Sequence, residues 1–385
     1  MLISGLSISR NNSFALQIEL LARHLGLFGC ECRIFGRAPS AAEEADEFTN
    51  RPLPHEASRS IDLANLSEAL VRSEIDGFRA DATILLGYPN QFGFLGDSRF
   101  RPGLTYLWAQ FSHTPAPLPG GLTIVPLTGK SAEFAGSSKN STVGPIVPHG
   151  VDLNIFGARG EDESGGLGRN HFDLPSAFTV GVVATNQLRK RFDRFLDTCE
   201  LTLESPRPIH FCIKTDRPSA PGGFDLPREL ADRGIEDHVT IIDDSPTGSG
   251  LPDHELARLY ACFDLYLHTS EWEGFGIPVI EAMASGVPVA THRTQGPGEI
   301  TPYPELLIDS TAVTDETGAV LTYIDPKSAA AVIDRVRGLG SEKRLELGRR
   351  GRRASSERYD ARKVASAWID VINRDLADPG REGER

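Results

Sequence analysis

Two glutamates, Glu273 and Glu281, stand eight positions apart in the run Glu273-Gly274-Phe275-Gly276-Ile277-Pro278-Val279-Ile280-Glu281. Two glycines between them let a backbone approach a ligand closely, and Pro278 suits a first helical position, where its missing N–H would be unpaired anyway. Upstream, residues 263–268 alternate and are rich in aromatic and aliphatic side chains, which predicts a strand. Downstream, residues 282–286 read as a short helix closed by Gly286. Glu273 then belongs to a strand-to-helix loop, and Glu281 to about the first turn of the helix. A helix start points bare N–H groups outward and so suits phosphate. A carboxylate in that turn repels phosphate unless it reaches past it to hydroxyl donors. The pattern fits a ligand with both phosphate and hydroxyls, such as a nucleotide sugar; the plain alternative is a loop with two solvated glutamates.

A second cluster, Arg189-Lys190-Arg191, follows an expected strand at Phe178–Val183. Three consecutive cations at a strand end, in a chain of net charge −13, can clamp a diphosphate. Arginine binds phosphate bidentately and lysine supplies a compact charge. Asn186, just before them, could add a hydrogen bond. A solvated basic cap on the next helix is the alternative, although such cations normally favour a helix C-terminus. Asn11 and Asn12 follow the first strand; asparagine tolerates left-handed geometry in a loop under a ligand, and serves equally well as an N-cap. The segment Trp108–Pro115 ends a strand at 104–109 and enters a proline-rich loop, where His113 could hydrogen-bond a hydroxyl or the reacting centre, the alternative being a structural donor.

Other patterns exclude functions. Thr128-Gly129-Lys130-Ser131 lacks the first glycine of a P-loop, which would fall at Ile124. Val279 stands where a dinucleotide fingerprint needs its third glycine or alanine. The chain has no Asp-x-Asp pair and no histidine–glutamate zinc pattern, so no metal and no cofactor beyond the substrate is expected.

The elements that must position these groups alternate between strand and helix. Strands are expected at 2–7, 30–35, 82–86, 104–109 and 122–126, with helices at 14–25 and 63–75 and a loop at 37–59. The polar, glycine-rich stretch 157–168 reads as a linker. A second series follows, with strands at 178–183, 209–214, 239–242, 265–268 and 287–291 and helices at 192–203 and 252–260. This predicts an α/β chain of two doubly wound units with ligand at the carboxyl ends of their strands. The domains expected are 1–165, 166–360, and a terminal segment 361–385. That last segment is a helix at 364–376, with Val364, Trp368, Val371 and Ile372 as its apolar stripe, and a disordered tail.

At 385 residues the chain can bury two cores, and 39% hydrophobic with 24% charged residues is the balance of a soluble globular protein. The acidic balance argues against a nucleic-acid partner. No stretch reaches the ~18 apolar residues needed to span a bilayer, and the N-terminus lacks a basic region and cleavage site. A cytoplasmic location is the expectation. The five cysteines lack zinc spacing and are expected to be buried free thiols, with Cys30 and Cys32 on one face of a strand.

The run from Ser270 through the paired glutamates to Gly286-Val287-Pro288-Val289 closely resembles the signature of the retaining glycosyltransferases of family 4, the glycosyl transferases group 1. The resemblance is tight over 240–300, fair over 180–190 and 147–156, and faint over the rest of the first half. It implies the GT-B architecture, two Rossmann-like domains facing across a cleft, with acceptor binding in the first and nucleotide-sugar binding in the second. The terminal helix would cross back onto the first domain. It implies metal-independent transfer, with retention, from a GDP- or UDP-linked sugar to a hydroxyl acceptor. Peripheral contact with a membrane would follow where the acceptor is lipid-linked. Glu273 would orient sugar hydroxyls, Glu281 would hold the ribose, Gly274, Phe275, Gly276 and Ile277 would offer N–H groups to phosphate, and His113 would approach the donor sugar. Lys190 matches the family lysine that neutralises the leaving diphosphate. The family arginine, however, falls at Ala184, which leaves Arg189 or Arg191 as its substitute. Asn11-Asn12 replace a glycine pair. Those departures keep open a non-catalytic nucleotide-sugar-binding protein, and because fold alone does not fix reaction an isomerase or phosphorylase on the same scaffold also stays open.

Overall fold

The computed structural model describes residues 2–7, 13–37, 80–87, 104–109, 122–136, 142–157, 167–243, 251–293, 295–316 and 320–378. Strands Leu2–Ser7 (β1), Ile34–Arg37 (β2), Ala82–Gly87 (β3), Leu104–Ala109 (β4), Thr123–Pro126 (β5) and Thr142–Val143 (β6) form one parallel sheet in the order β2-β1-β3-β4-β5-β6. Parallel strands covered on both faces read as unbroken apolar runs, and β4, Leu-Thr-Tyr-Leu-Trp-Ala, is buried at every residue. This sheet belongs to a unit made of residues up to Gly150 and from Arg358 onward. The helix Ala361–Leu376 lies in that unit. Its Trp368 ring meets Tyr106 and Trp108 edge-on, each at 5.6 Å, and its Asp375 accepts from the Tyr106 hydroxyl at 3.0 Å. Of the expected stripe, Val364, Trp368 and Val371 are buried; Ile372 is half-exposed, and Asp375 turns inward to meet Tyr106. The chain leaves the sheet through His149-Gly150, where the Gln17 carboxamide bonds both the N–H and the carbonyl of Gly150 at 3.0 Å.

The second unit, Val151–Glu357, is built on Phe178–Val183 (β7), Ile209–Thr215 (β8), Val239–Asp243 (β9), Leu265–Leu267 (β10), Val289–His292 (β11) and Leu307–Ile308 (β12). Their order, β12-β11-β10-β7-β8-β9, is again parallel throughout. The chain winds outward from β7 to β9, then crosses back to β10 and winds the other way. Strands β7 and β10 are therefore adjacent but successive to different halves of the sheet, and a ligand crevice opens beyond the carboxyl ends of such a pair. Gly181 in β7 makes room for the buried Phe263 ring, which a Cβ there would overlap. An antiparallel hairpin, Ser310–Thr314 (β13) with Val320–Ile324 (β14), is tied to the loop after β10 by a bond from Thr322 N to Glu271 O at 2.8 Å.

Two local expectations are corrected. Strand β2 starts at Ile34 rather than 30, because the helix Ser13–Gly26 ends in a turn through Gly29 at φ +84° and pairing with β1 begins only at Leu2↔Ile34. Cys30 is consequently exposed and Cys32 half-buried on irregular backbone; Cys199, Cys212 and Cys262 are buried, and all five are free thiols. The expected helix at 63–75, the expected loop at 37–59 beyond Arg37, which ends β2, and the tail after Asp378 lie outside the described residues, as does most of the expected linker. Among the described residues no helix is long and apolar enough to cross a membrane.

Candidate functional site

Beyond Val183 the chain leaves β7 with Ala184 N bonded to Lys214 O at 3.1 Å. Asn186 then locks the neighbouring loop in place. Its N–H donates to Asp216 Oδ1, its Nδ2 to the carbonyls of Arg217 and Phe224, and its Oδ1 accepts from Phe224 N, all between 2.7 and 2.9 Å. The carboxamide is thereby spent on the protein itself. Asn186 therefore braces the loop that follows β8, beside the cations of the next turn. A tight helical turn over Leu188–Lys190 follows, ending at Arg191 in the left-handed region at φ +55°.

This turn is stitched to the loop after β10. Glu271 N donates to Arg189 O at 2.8 Å, and Thr269 Oγ1 donates to Lys190 O at 2.8 Å. With both backbones fixed, three side chains converge on one oxygen of Glu273: the Lys190 ammonium, Arg189 Nη1 at 3.0 Å and Ser270 Oγ at 3.3 Å. Burial alone would raise the Glu273 carboxyl, but the charges of Lys190 and Arg189 outweigh it and hold the group ionised well below the usual carboxylate range. Lys190 is itself buried, and desolvation pulls its ammonium below the usual lysine value despite the facing carboxylate. Both cations lie at the carboxyl ends of β7 and β10, where the winding reverses.

Of the two arginines left open by the sequence, Arg189 faces the site. Its guanidinium lies 5.0 Å from the centre of the Trp272 ring, and its Nε donates to Gln187 Oε1 at 3.0 Å. Arg191 is turned away, paired with Asp193 and Glu271 and stacked 4.8 Å from the Tyr323 ring.

The glycine loop follows Glu273 directly. Gly276 sits at φ +101°, open to glycine alone, and caps the helix Ile277–Ala284, whose second residue is Pro278. Phe275 is buried and anchors the loop from below. Glu281 lies in the second helical turn, one step further in than the sequence suggested, because the helix begins at Ile277. The Tyr260 hydroxyl donates to Glu281 Oε2 at 2.9 Å. Burial raises the Glu281 carboxyl to about 7, and Asp253 adds to the rise; the Tyr260 hydrogen bond and Lys214 oppose it. Tyr266 of β10, with its hydroxyl 3.2 Å from Val183 O, is raised by burial first and then by both Glu273 and Glu281.

His113, Asn11 and Asn12 lie outside the described residues. Among the described residues no group of three or more histidine, cysteine or acidic side chains is placed to hold a metal. Sequence reasoning missed Tyr260 and Trp272. Nothing in the sequence links Tyr260 to Glu281, 21 residues on; Trp272, beside Glu273, was visible as an aromatic neighbour but its arginine partner was not.

Residues 175–337 match the family described as glycosyl transferases group 1. The MMP alpha-(1->4)-mannosyltransferase of Mycolicibacterium hassiacum is 28% identical over 256 residues, 65% of this chain and 54% of that protein. The lipopolysaccharide core biosynthesis mannosyltransferase LpsB of Rhizobium meliloti is 26% identical over 236 residues, 59% of this chain and 61% of that one. The chain thus matches little more than half the length of these relatives. Among solved structures, a sucrose-phosphate synthase from Thermosynechococcus elongatus shares the fold at a TM-score of 0.73, covering 98% of each chain at 15% identity.

Proposed function

We propose that this protein, whose residues 175–337 match the glycosyl transferases group 1 family and whose fold is GT-B, moves a sugar from a nucleoside-diphosphate sugar, GDP- or UDP-linked, to a hydroxyl acceptor. The observation that carries this reading is the meeting of Lys190 and Arg189 at Glu273, where β7 and β10 diverge. Fixed cations aimed where a leaving diphosphate gathers charge lower the barrier without reorganising at the moment of reaction. Lys190 and Arg189 take the phosphates, with N–H groups from Gly274 to Ile277 alongside. Glu273 orients the sugar hydroxyls and offsets positive charge on the ring, and Glu281 takes the ribose hydroxyls. Transfer proceeds with retention and without a metal, the leaving phosphate accepting the acceptor's proton on the face it departs from. His113, Asn11 and Asn12, which lie outside the described residues, belong to the proposed set by the family resemblance alone. The site is read as cytoplasmic, with peripheral membrane contact if the acceptor is lipid-linked.

Ala184 in place of a cation favours the second reading, a nucleotide-sugar binder without turnover. The two are separated by incubating the protein with GDP- and UDP-linked hexoses in EDTA and following nucleoside diphosphate release. Because two relatives are named as mannosyltransferases, GDP-mannose is the first donor to try. Slow release from one nucleotide class is expected, accelerated by the right acceptor. Tight binding with no release across varied acceptors would favour the binder.

A further inference from the structure

A diphosphate leaving group carries more charge than one lysine offsets, and Ala184 offers none. Arg189 can supply the second cation only if its long side chain is held toward Glu273 instead of sweeping through solvent. We propose that Trp272, assisted by Gln187, is the positioning residue that fixes Arg189 as the second diphosphate cation, replacing a charge that Ala184 lacks. This rests on the reading of the site as one for nucleoside-diphosphate sugars.

Four contacts define the arrangement. The Arg189 carbonyl accepts from Glu271 N at 2.8 Å, which sets the backbone next to Trp272. The Trp272 ring lies 5.0 Å from the guanidinium carbon, within the range where a ring face attracts a cation. Gln187 Oε1 accepts from Arg189 Nε at 3.0 Å, so the guanidinium is held from its stem side. Arg189 Nη1 is left to reach Glu273 Oε1 at 3.0 Å. A planar guanidinium fixed by a ring and an amide presents its N–H fork in one orientation, which a lysine at 189 would not reproduce. The Arg189 side chain is 28% exposed, against 10% for Lys190, so burial fixes the lysine while the arginine needs a partner. Trp272 thus acts through Arg189 and need not touch the donor.

The test is isothermal titration of GDP, UDP and the matching monophosphates into the full-length protein carrying Trp272→Ala, Trp272→Phe, Arg189→Ala or Arg189→Ala with Trp272→Ala, each checked for fold by circular dichroism. Trp272→Ala should weaken nucleoside diphosphate binding about threefold to tenfold, leave monophosphate binding unchanged, and be largely rescued by Trp272→Phe. In the Arg189→Ala background, removing Trp272 should cost nothing more. An equal loss in both backgrounds, or an equal loss for monophosphates, would overturn the positioning role. If the unaltered protein binds no nucleoside diphosphate, the underlying site reading fails first and is recognised by that result alone.

Discussion

Glu281 is the residue whose chemistry is most exposed to measurement, because its carboxyl sits near 7 in the folded protein against an ordinary value of 4.5. Below that ordinary value both folded and unfolded chains hold the proton, and the residue is neutral to stability. Between 4.5 and about 7 the unfolded chain releases it first, so folding is increasingly opposed. Above 7 the cost is complete. Glu281→Gln removes it, so the variant's melting temperature should exceed that of the unaltered protein at pH 8 by about 2–4 °C for each ~1 kcal/mol recovered, and match it below pH 4.5. The same substitution should weaken nucleotide binding at pH 8, whereas binding to the unaltered protein should tighten as pH rises through 7. Thermal shift across this range, with and without nucleotide, reads both effects. A Glu281→Gln variant less stable than the parent at pH 8 would refute the account of this carboxyl.

At the scale of elements, legibility followed burial. Strand β4 and the helix Phe192–Leu203 appear with the bounds their apolar runs predict, because each run is cut off by polar or glycine residues. The hairpin of β13 and β14 went unpredicted. Every residue of β13 is exposed and its sequence, Ser-Thr-Ala-Val-Thr, carries no two-residue alternation to betray a strand. Yet the hairpin matters to the site, since it braces the loop of Glu271 and stacks Tyr323 on Arg191. The paired-glutamate loop was readable because glycine, proline and carboxylate each carry a distinct constraint at a fixed spacing. The bracing by Asn186 was not, because the loop its side chain clamps lies 31 to 38 residues away in sequence.

At the scale of the whole molecule, all described site residues belong to the unit Val151–Glu357, while the terminal helix Ala361–Leu376 packs into the other. Stability of the first unit and affinity of the site should therefore be separable. Trp368 is fully buried against Tyr106 and Trp108, so Trp368→Ala should cost roughly 3–5 kcal/mol of that unit's stability. Calorimetry should show the melting of that unit moving down, with nucleotide affinity measured below it unchanged. A parallel loss of affinity would mean that the site depends on the first unit for nucleotide binding.

The central claim is that Lys190 and Arg189, gathered at Glu273, grip a diphosphate. The most direct measurement is titration of GDP, UDP and the corresponding nucleosides into the unaltered protein and into Lys190→Ala at pH 8 in EDTA. Loss of a buried, hydrogen-bonded charge should weaken nucleoside diphosphate binding by about thirtyfold or more, ~2 kcal/mol at the least, and leave nucleoside binding alone. Equal diphosphate affinity in the two proteins, with Lys190→Ala folded, would contradict it.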